Sequence, residues 1–440
     1  MDTDTVTRLS NGLTVVLREV HSVPVISWWV TYKVGSRNER SGQTGASHWV
    51  EHMLFKGTDR FPAGVLDRLI DRAGGMWNAF TSMDYTMYYA TLPAERIELA
   101  MEAEADRMMS ARFDEDEIEA ERSVILSERR GSENSPVFWL REAMRSAAFQ
   151  VHGYRHPIIG EACDLEMMTR EDIYQHYRHH YTPANATIVA VGAFDTPEML
   201  ARIEELYGGL PAGPAPKLFV RPEPEPLAAY RVTVTRPGHT SFLRLAQRVP
   251  AATHPDWIKL ELLDSILTGT SGTQDNKTSR LYQALVKTGI AANAGGGLSE
   301  TLDPYIYNIA VTINEGRTLE EAETVLLGEI ERVQRDGVTL AEMERARKQA
   351  RAAFAFATES VTNQAYWISQ SSVLGDLRWF DGYLERLDAV TLDDVQQVAR
   401  QYLRPETRVT GWLVPSGMEE DADGGHDLWL EASLEETIHE

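Results

Sequence analysis

Pro211-Ala-Gly-Pro-Ala-Pro-Lys-Leu-Phe-Val-Arg-Pro-Glu-Pro-Glu-Pro226 divides this 440-residue chain almost at its midpoint. Six prolines in sixteen residues fix φ and remove backbone donors, so the stretch reads as an extended, semi-rigid connector. The flanks read as weak copies of one plan. In the first half a strand over 25–34 precedes a helix around His48. A helix over 64–73, strands through Tyr89 and helices to about Met109 follow. In the second half a strand over 242–249 precedes a helix from about His254 to Leu267. A helix over 279–286, strands through Thr312 and a helix over 318–336 follow. Each copy closes alike. Thr169 and Thr391 are N-cap threonines with acids two or three residues on, and the apolar runs 186–191 and 408–414 read as last strands. The pattern predicts an α+β chain of two homologous domains, each a mixed, mostly antiparallel sheet with helices packed on one face. The expected bounds are 1–212, a connector over 213–226, a second domain over 227–415 and an acidic tail over 416–440.

Working outward from the connector, the first copy carries a group the second lacks: His48-Trp49-Val50-Glu51-His52. On a helix turning about 100° per residue, His48 and His52 sit roughly 40° apart and one turn removed, so both imidazoles can reach one metal ion. Glu51 is offset by about 60° from His48, placed to address water beside a metal without ligating it. H-x-x-E-H is the inverted order of the zinc motif H-E-x-x-H. A solvated helix with two surface histidines fits the same five residues, because short motifs match by chance.

Zinc catalysis needs a third protein ligand and an open fourth position. The helical stretch from Phe113 to Arg130 offers Glu121 and Glu128, seven apart and on one face. Val124, Ile125 and Leu126 between them suggest partial burial. Glu115, Glu117 and Glu119 make a solvated acidic helix the competing reading.

Composition narrows the classes. Hydrophobic residues at 43% and charged residues at 25% fit a soluble globular chain, and no apolar run is long enough to cross a membrane. A net charge of −23 argues against nucleic acid and anionic membrane partners. The N-terminus lacks a basic and apolar leader, so the expected compartment is cytoplasmic, or periplasmic if a signal was removed. The single cysteine, Cys163, excludes an internal disulfide and is expected to be a small packed residue. From Glu419 to Glu440 nine carboxylates face no Lys or Arg, which reads as a solvated tail or a docking segment.

The run His48 to Thr58, H-W-V-E-H-M-L-F-K-G-T, resembles the signature of the pitrilysin/insulinase family of zinc peptidases, which includes the mitochondrial processing peptidases. Similar stretches are Leu9 to Leu17, Gly74 to Thr81 with Asp84, Thr86, Tyr88 and Tyr89, Tyr154 to Gly160, and Tyr181 to Ala186. The likeness runs from about residue 7 to 415. It implies a zinc endopeptidase with one zinc per chain, ligated by His48, His52 and Glu128, the last 76 residues beyond His52. It implies Glu51 as general base and Glu121 as a supporting residue that orients a ligand histidine. It also implies that peptides add as a strand along 76–81, contacting Asn78 and Ala79.

One departure stands out. The family's second half usually carries an arginine and a tyrosine that reach over the metal site. Here Ser279 to Leu285 begins the same way, but Val286 replaces the arginine and, after a one-residue deletion, Ala292 replaces the tyrosine. The expectation is a heterodimer in which a homologous subunit supplies the pair. A homodimer using Arg280, Tyr305 or Tyr307, or a non-catalytic scaffold, are the rival readings.

Overall fold

A computed structural model describes residues 4–213, 220–269 and 277–417. Of the proline-rich connector, residues 211–213 and 220–226 are described, whereas the acidic stretch Glu419 to Glu440 lies outside the described residues.

The first half forms a six-stranded sheet from β1 (Asp4–Arg8), β2 (Thr14–Glu19), β3 (Val25–Tyr32), β4 (Met76–Thr81), β5 (Thr86–Pro93) and β6 (Ala186–Gly192), in the order β1-β2-β6-β3-β5-β4. Only β2 and β6 run parallel. The second half forms a five-stranded sheet from β7 (Tyr230–Arg236), β8 (Phe242–Val249), β9 (Ala291–Gly297), β10 (Tyr305–Ile313) and β11 (Val409–Pro415), in the order β7-β11-β8-β10-β9. Its one parallel pair is β7 with β11. The order β2-β6-β3-β5-β4 is therefore repeated strand for strand, which is the duplication read from the sequence.

The helices of the first half are α1 (Ala46–Met53), α2 (Val65–Arg72), α3 (Glu98–Ser110), α4 (Glu115–Glu133), α5 (Pro136–Ala148), α6 (Ala162–Met167), α7 (Arg170–His180) and α8 (Thr196–Tyr207). Those of the second are α9 (Trp257–Leu267), α10 (Leu319–Asp336), α11 (Leu340–Ala357), α12 (Val361–Leu374), α13 (Tyr383–Ala389) and α14 (Leu392–Tyr402). Thr169 and Thr391 cap α7 and α14, each receiving the N–H of an aspartate three residues on while that aspartate bonds back. Two expected helices differ in extent. The first begins at Trp257 rather than His254, because His254 closes a turn: its carbonyl accepts from Trp257 N–H at 2.9 Å and its Nδ1 from Asp256 N–H at 3.1 Å. The second, expected over 279–286, is a short π-helical segment, Tyr282–Val286.

Each sheet lays one face on its own helices. Trp28, Val30, Tyr88 and Ala90 pack with Trp49, Val50 and Met53 of α1 and with α3, α7 and α8. Leu243, Leu245, Ile309 and Val311 pack with α9, α10, α11 and α14. The opposite faces are covered reciprocally, which the sequence did not suggest. Val361, Ala365 and Ile368 of α12 lie on Trp29, Met87, Val189 and Val191 of the first sheet. Leu140 and Met144 of α5 lie on Ala246, Val409 and Leu413 of the second. Burial on both faces explains why β3 and β6 read as nearly continuous apolar runs rather than alternating ones. Polar ties reinforce the exchange: Arg37 pairs with Asp303 at 2.7 Å, and Asp84 accepts from Tyr154 Oη at 2.8 Å and Leu302 N–H at 3.0 Å.

Cys163 corrects an expectation. It is exposed and not packed, because α6 is a six-residue surface helix that buries only Leu165.

Candidate metal centre

α1 enters through Gly45, whose φ of 90° is left-handed and whose absent Cβ would lie 2.6 Å from the Ile159 carbonyl oxygen. Its N-terminal amides are held by a buried carboxylate. Glu39 accepts the N–H of Gly45 and of Ser47, each at 2.7 Å. Trp49, Val50 and Met53 anchor the helix in the core, and His48, Glu51 and His52 occupy its half-buried face. α4 packs alongside, with Arg122 over the Trp49 ring at 4.8 Å and Ile118 and Ile125 in the core. This packing turns Glu121 and Glu128 toward the two histidines.

The ligand-type atoms of His48, His52 and Glu128 all lie within 4.8 Å of one another. The Nε2 atoms of His48 and His52 are 3.2 Å apart, and a Glu128 oxygen stands 3.9 Å from the first and 3.7 Å from the second. Ligands at about 2.0–2.1 Å from a tetrahedral zinc lie roughly 3.3 Å apart, so this triangle suits one ion. Glu121 Oε1 lies 2.7 Å from His52 Nδ1; accepting that proton, it leaves Nε2 with its lone pair toward His48 and Glu128. Two imidazole nitrogens and a carboxylate converging on one point are a zinc donor set. The Glu128 side chain is 43% exposed, so solvent reaches the open side.

The electrostatics agree. Burial, aided by His52, pushes His48 down to about 4 and keeps it neutral. Burial also works against protonation of His52, but the Glu121 hydrogen bond and the charges of Glu128 and Glu51 outweigh it and hold its pKa above the ordinary value. Burial raises Glu51, only partly offset by Thr81 and His52. Burial would raise Glu121 too, but His52 and Lys56 bring it below its usual range.

Two residues escaped the sequence reading. Lys56 Nζ pairs with Glu121 Oε2 at 2.6 Å, so both oxygens of that carboxylate are engaged. Its position four residues after His52, one helical turn on, was the available signal. Thr81 Oγ1 donates to Glu51 Oε2 at 2.6 Å, a contact set by sheet register and invisible to spacing.

Thr81 belongs to β4, a free edge of the first sheet. Ser82 N–H bonds Tyr85 O at 2.8 Å; alternation from that pair points the N–H and C=O of Ala79 and Thr81 away from β5. The Ala79 N–H is held by Asn78 Oδ1 at 2.8 Å, and Asn78 is exposed while Ala79 is buried. The expected substitutes for the missing pair lie elsewhere. Arg280 is locked to Glu342 at 2.7 and 2.9 Å. Tyr305 stacks on Phe149 at 5.5 Å, and Tyr307 Oη donates to Asp264 at 2.8 Å.

Comparison with known proteins places this geometry. Family models described as Insulinase (Peptidase family M16) and Peptidase M16 inactive domain match residues 14–162 and 167–350. The chain belongs to the insulinase (M16) family. This M16 chain is 29% identical over 419 residues to "Zinc protease PqqE" of Helicobacter pylori, covering 92% of each protein. It is 27% identical over 408 residues to the probable mitochondrial-processing peptidase subunit beta of Arabidopsis thaliana, covering 90% of this chain and 76% of that one. The crystal structure of a protease from Helicobacter pylori superposes with a TM-score of 0.89 at 28% identity, over 94% of this chain and all of that one. The two family models meet near residue 165, with His48, His52 and Glu128 inside the first match and the inactive-domain match mostly in the second half.

Proposed function

We propose that this M16 zinc protease is the metal-bearing subunit of an endopeptidase that cleaves peptides or unfolded segments laid as an added strand on β4. The observation that carries the reading is one contact: the edge strand's Thr81 hydroxyl holds Glu51, beside the triangle of His48, His52 and Glu128. Chemistry and substrate edge are thereby joined.

His48, His52 and Glu128 would hold one zinc ion, with Glu121 fixing the tautomer of His52 and Lys56 fixing Glu121. Bound zinc supplies a Lewis acid that acidifies water to about pKa 7 and polarises a peptide carbonyl. Glu51 takes the proton of the attacking water and passes it to the leaving amine as the C–N bond breaks. Burial raises its pKa and so makes it a stronger base than a solvated carboxylate. An incoming strand would use the outward N–H and C=O of Ala79 and Thr81, displacing the Asn78 amide from the Ala79 N–H.

The partner reading rests on the second half. Val286 is partly buried at the end of the π-helical segment, and Ala292 stands on β9. With Arg280, Tyr305 and Tyr307 engaged elsewhere, a homologous subunit is the source of an arginine–tyrosine clamp, closing a chamber that admits peptides and excludes folded proteins. The test is a quenched peptide library offered to the zinc-loaded chain, alone and mixed with a homologue that has a degenerate metal motif but an intact pair. Turnover is expected only in the mixture. Robust turnover by the isolated chain removes the heterodimer requirement, and a zinc-free chain that still cleaves removes the mechanism.

A further inference from the structure

Behind the metal helix lies a cavity of about 480 Å³, within the usual size range of small-ligand sites. Its walls come from the turn before α1 (Arg37, Arg40), the loop after α5 (Gln150, Arg155, His156) and the end of the proline-rich connector (Arg221). The chain has 66 acidic residues against 43 Lys and Arg, so a cleft lined by four arginines departs from the overall charge balance. Arg37 is paired with Asp303. Arg40, Arg155 and Arg221 are exposed, and among the described residues none of the three has a carboxylate partner; Arg155 bonds only the Gln150 carbonyl.

The one carboxylate in the wall does not neutralise them. Glu39 turns both oxygens to the amides of Gly45 and Ser47. Burial, with the charges of Arg155 and Arg145, holds His156 below its ordinary pKa against the opposing pull of Asp164. The connector side is also fixed. Glu223 accepts the N–H of Gln150, Val151 and His152 at 2.7–2.9 Å, which pins Arg221 beside the loop that carries Arg155.

We propose that this cleft is a binding site for a small polyphosphate anion, gripped by Arg40, Arg155 and Arg221. Guanidinium groups bind clustered anionic oxygens through paired, charge-assisted hydrogen bonds. Among the described residues no Phe, Tyr or Trp lines the cavity, so affinity comes from the charged oxygens. Three arginines lining one cleft match the charge of a triphosphate group better than that of a single carboxylate. The site is separate from the metal centre and touches it only through Glu39 and the start of α1.

Calorimetric titration of the full chain with sodium triphosphate, at matched ionic strength, tests this. Saturable binding is expected, weakened roughly tenfold by each of Arg40→Ala and Arg155→Ala. Both side chains are exposed, so the variants should melt like the parent. Because triphosphate also chelates zinc, the titration is repeated on His52→Ala, and binding must persist there. Citrate distinguishes a carboxylate ligand from a phosphate one and should bind more weakly. No saturable binding, unchanged affinity in the doubly substituted chain, loss of binding in His52→Ala, or tighter binding of citrate would each overturn the proposal.

Discussion

The two halves repeat one strand order, yet among the described residues only the first brings together side chains that could hold a metal ion. Counting from the helix caps makes the contrast residue by residue. Glu121 and Glu128 stand seven and fourteen positions after Asp114, the cap of α4; the same steps from Thr339, the cap of α11, reach Ala346 and Ala353. The helix after the equivalent strand is α1 with its two histidines in one half, and in the other α9, which buries nine of its eleven residues and has none. Ala346 and Ala350 pack against that apolar helix. One packing arrangement thus closes around a candidate metal site in one half and around a mostly apolar helix that carries the carboxyls of Glu261 and Asp264 in the other. The first half retains buried polarity at a cost, since each unpaired buried charge destabilises, and it offsets this by pairing His52 with Glu121 and Glu121 with Lys56.

The largest expected effect falls on the residue that distinguishes chemistry from metal binding. Glu51→Gln should lower kcat by roughly 10²–10⁴-fold in the assembled enzyme while zinc content, read by mass spectrometry, stays at the parent level. Activity within a few-fold of the parent would mean the first half is not where protons move. Next comes Glu121→Gln, which removes the acceptor fixing His52. Zinc affinity, measured by chelator competition, should fall about 10–100-fold. Unchanged affinity would reduce Glu121 to a structural carboxylate and leave the contrast with Ala346 without function.

Smaller effects probe how the halves hold each other. A Cβ at Gly411 on β11 would press on Met144 and Leu140 of α5, so Gly411→Val should cost about 1–3 kcal/mol in denaturant unfolding. Because α5 and α12 are exchanged, the parent and this variant should each unfold in a single transition. Two separated transitions would show the halves to be independent.

The smallest effect concerns acidity in the half without metal. Burial pushes Glu261 up to about 8, with Tyr383 Oη donating to it at 2.5 Å. A carboxyl raised in the folded state contributes most below its unfolded pKa, and that contribution is lost as pH rises through the folded value. Stability should thus decline between about pH 5 and pH 8 by up to about 1.4 kcal/mol per pH unit from this group, and Glu261→Gln should flatten the decline. An identical pH slope in the variant would assign the loss to other groups.

Much of this was legible in the sequence because its signals are local. A proline-dense connector, two threonine caps and repeated strand–helix spacing give the duplication, since each depends on the conformational limits of a few neighbouring residues. The i, i+4 histidines fix their own relation on one helix. Glu121 and Glu128 were candidates by helical spacing, but choosing Glu128 as a ligand needed a family likeness, because nothing local tells a metal carboxylate from a solvated one. What sequence alone determined is therefore the α+β plan, the doubling and the helix that carries the paired histidines. What only the tertiary structure decided lies between elements distant in the chain: the Thr81–Glu51 contact, the Lys56 clamp on Glu121, the capping of α1 by Glu39, the exchange of α5 and α12, and the meeting of arginines from three segments in one cleft. The reason is physical. Local conformation is set by the torsions and hydrogen bonds of adjacent residues. Strand register and helix packing are instead set by how whole apolar faces bury together, and no short stretch of sequence holds that information.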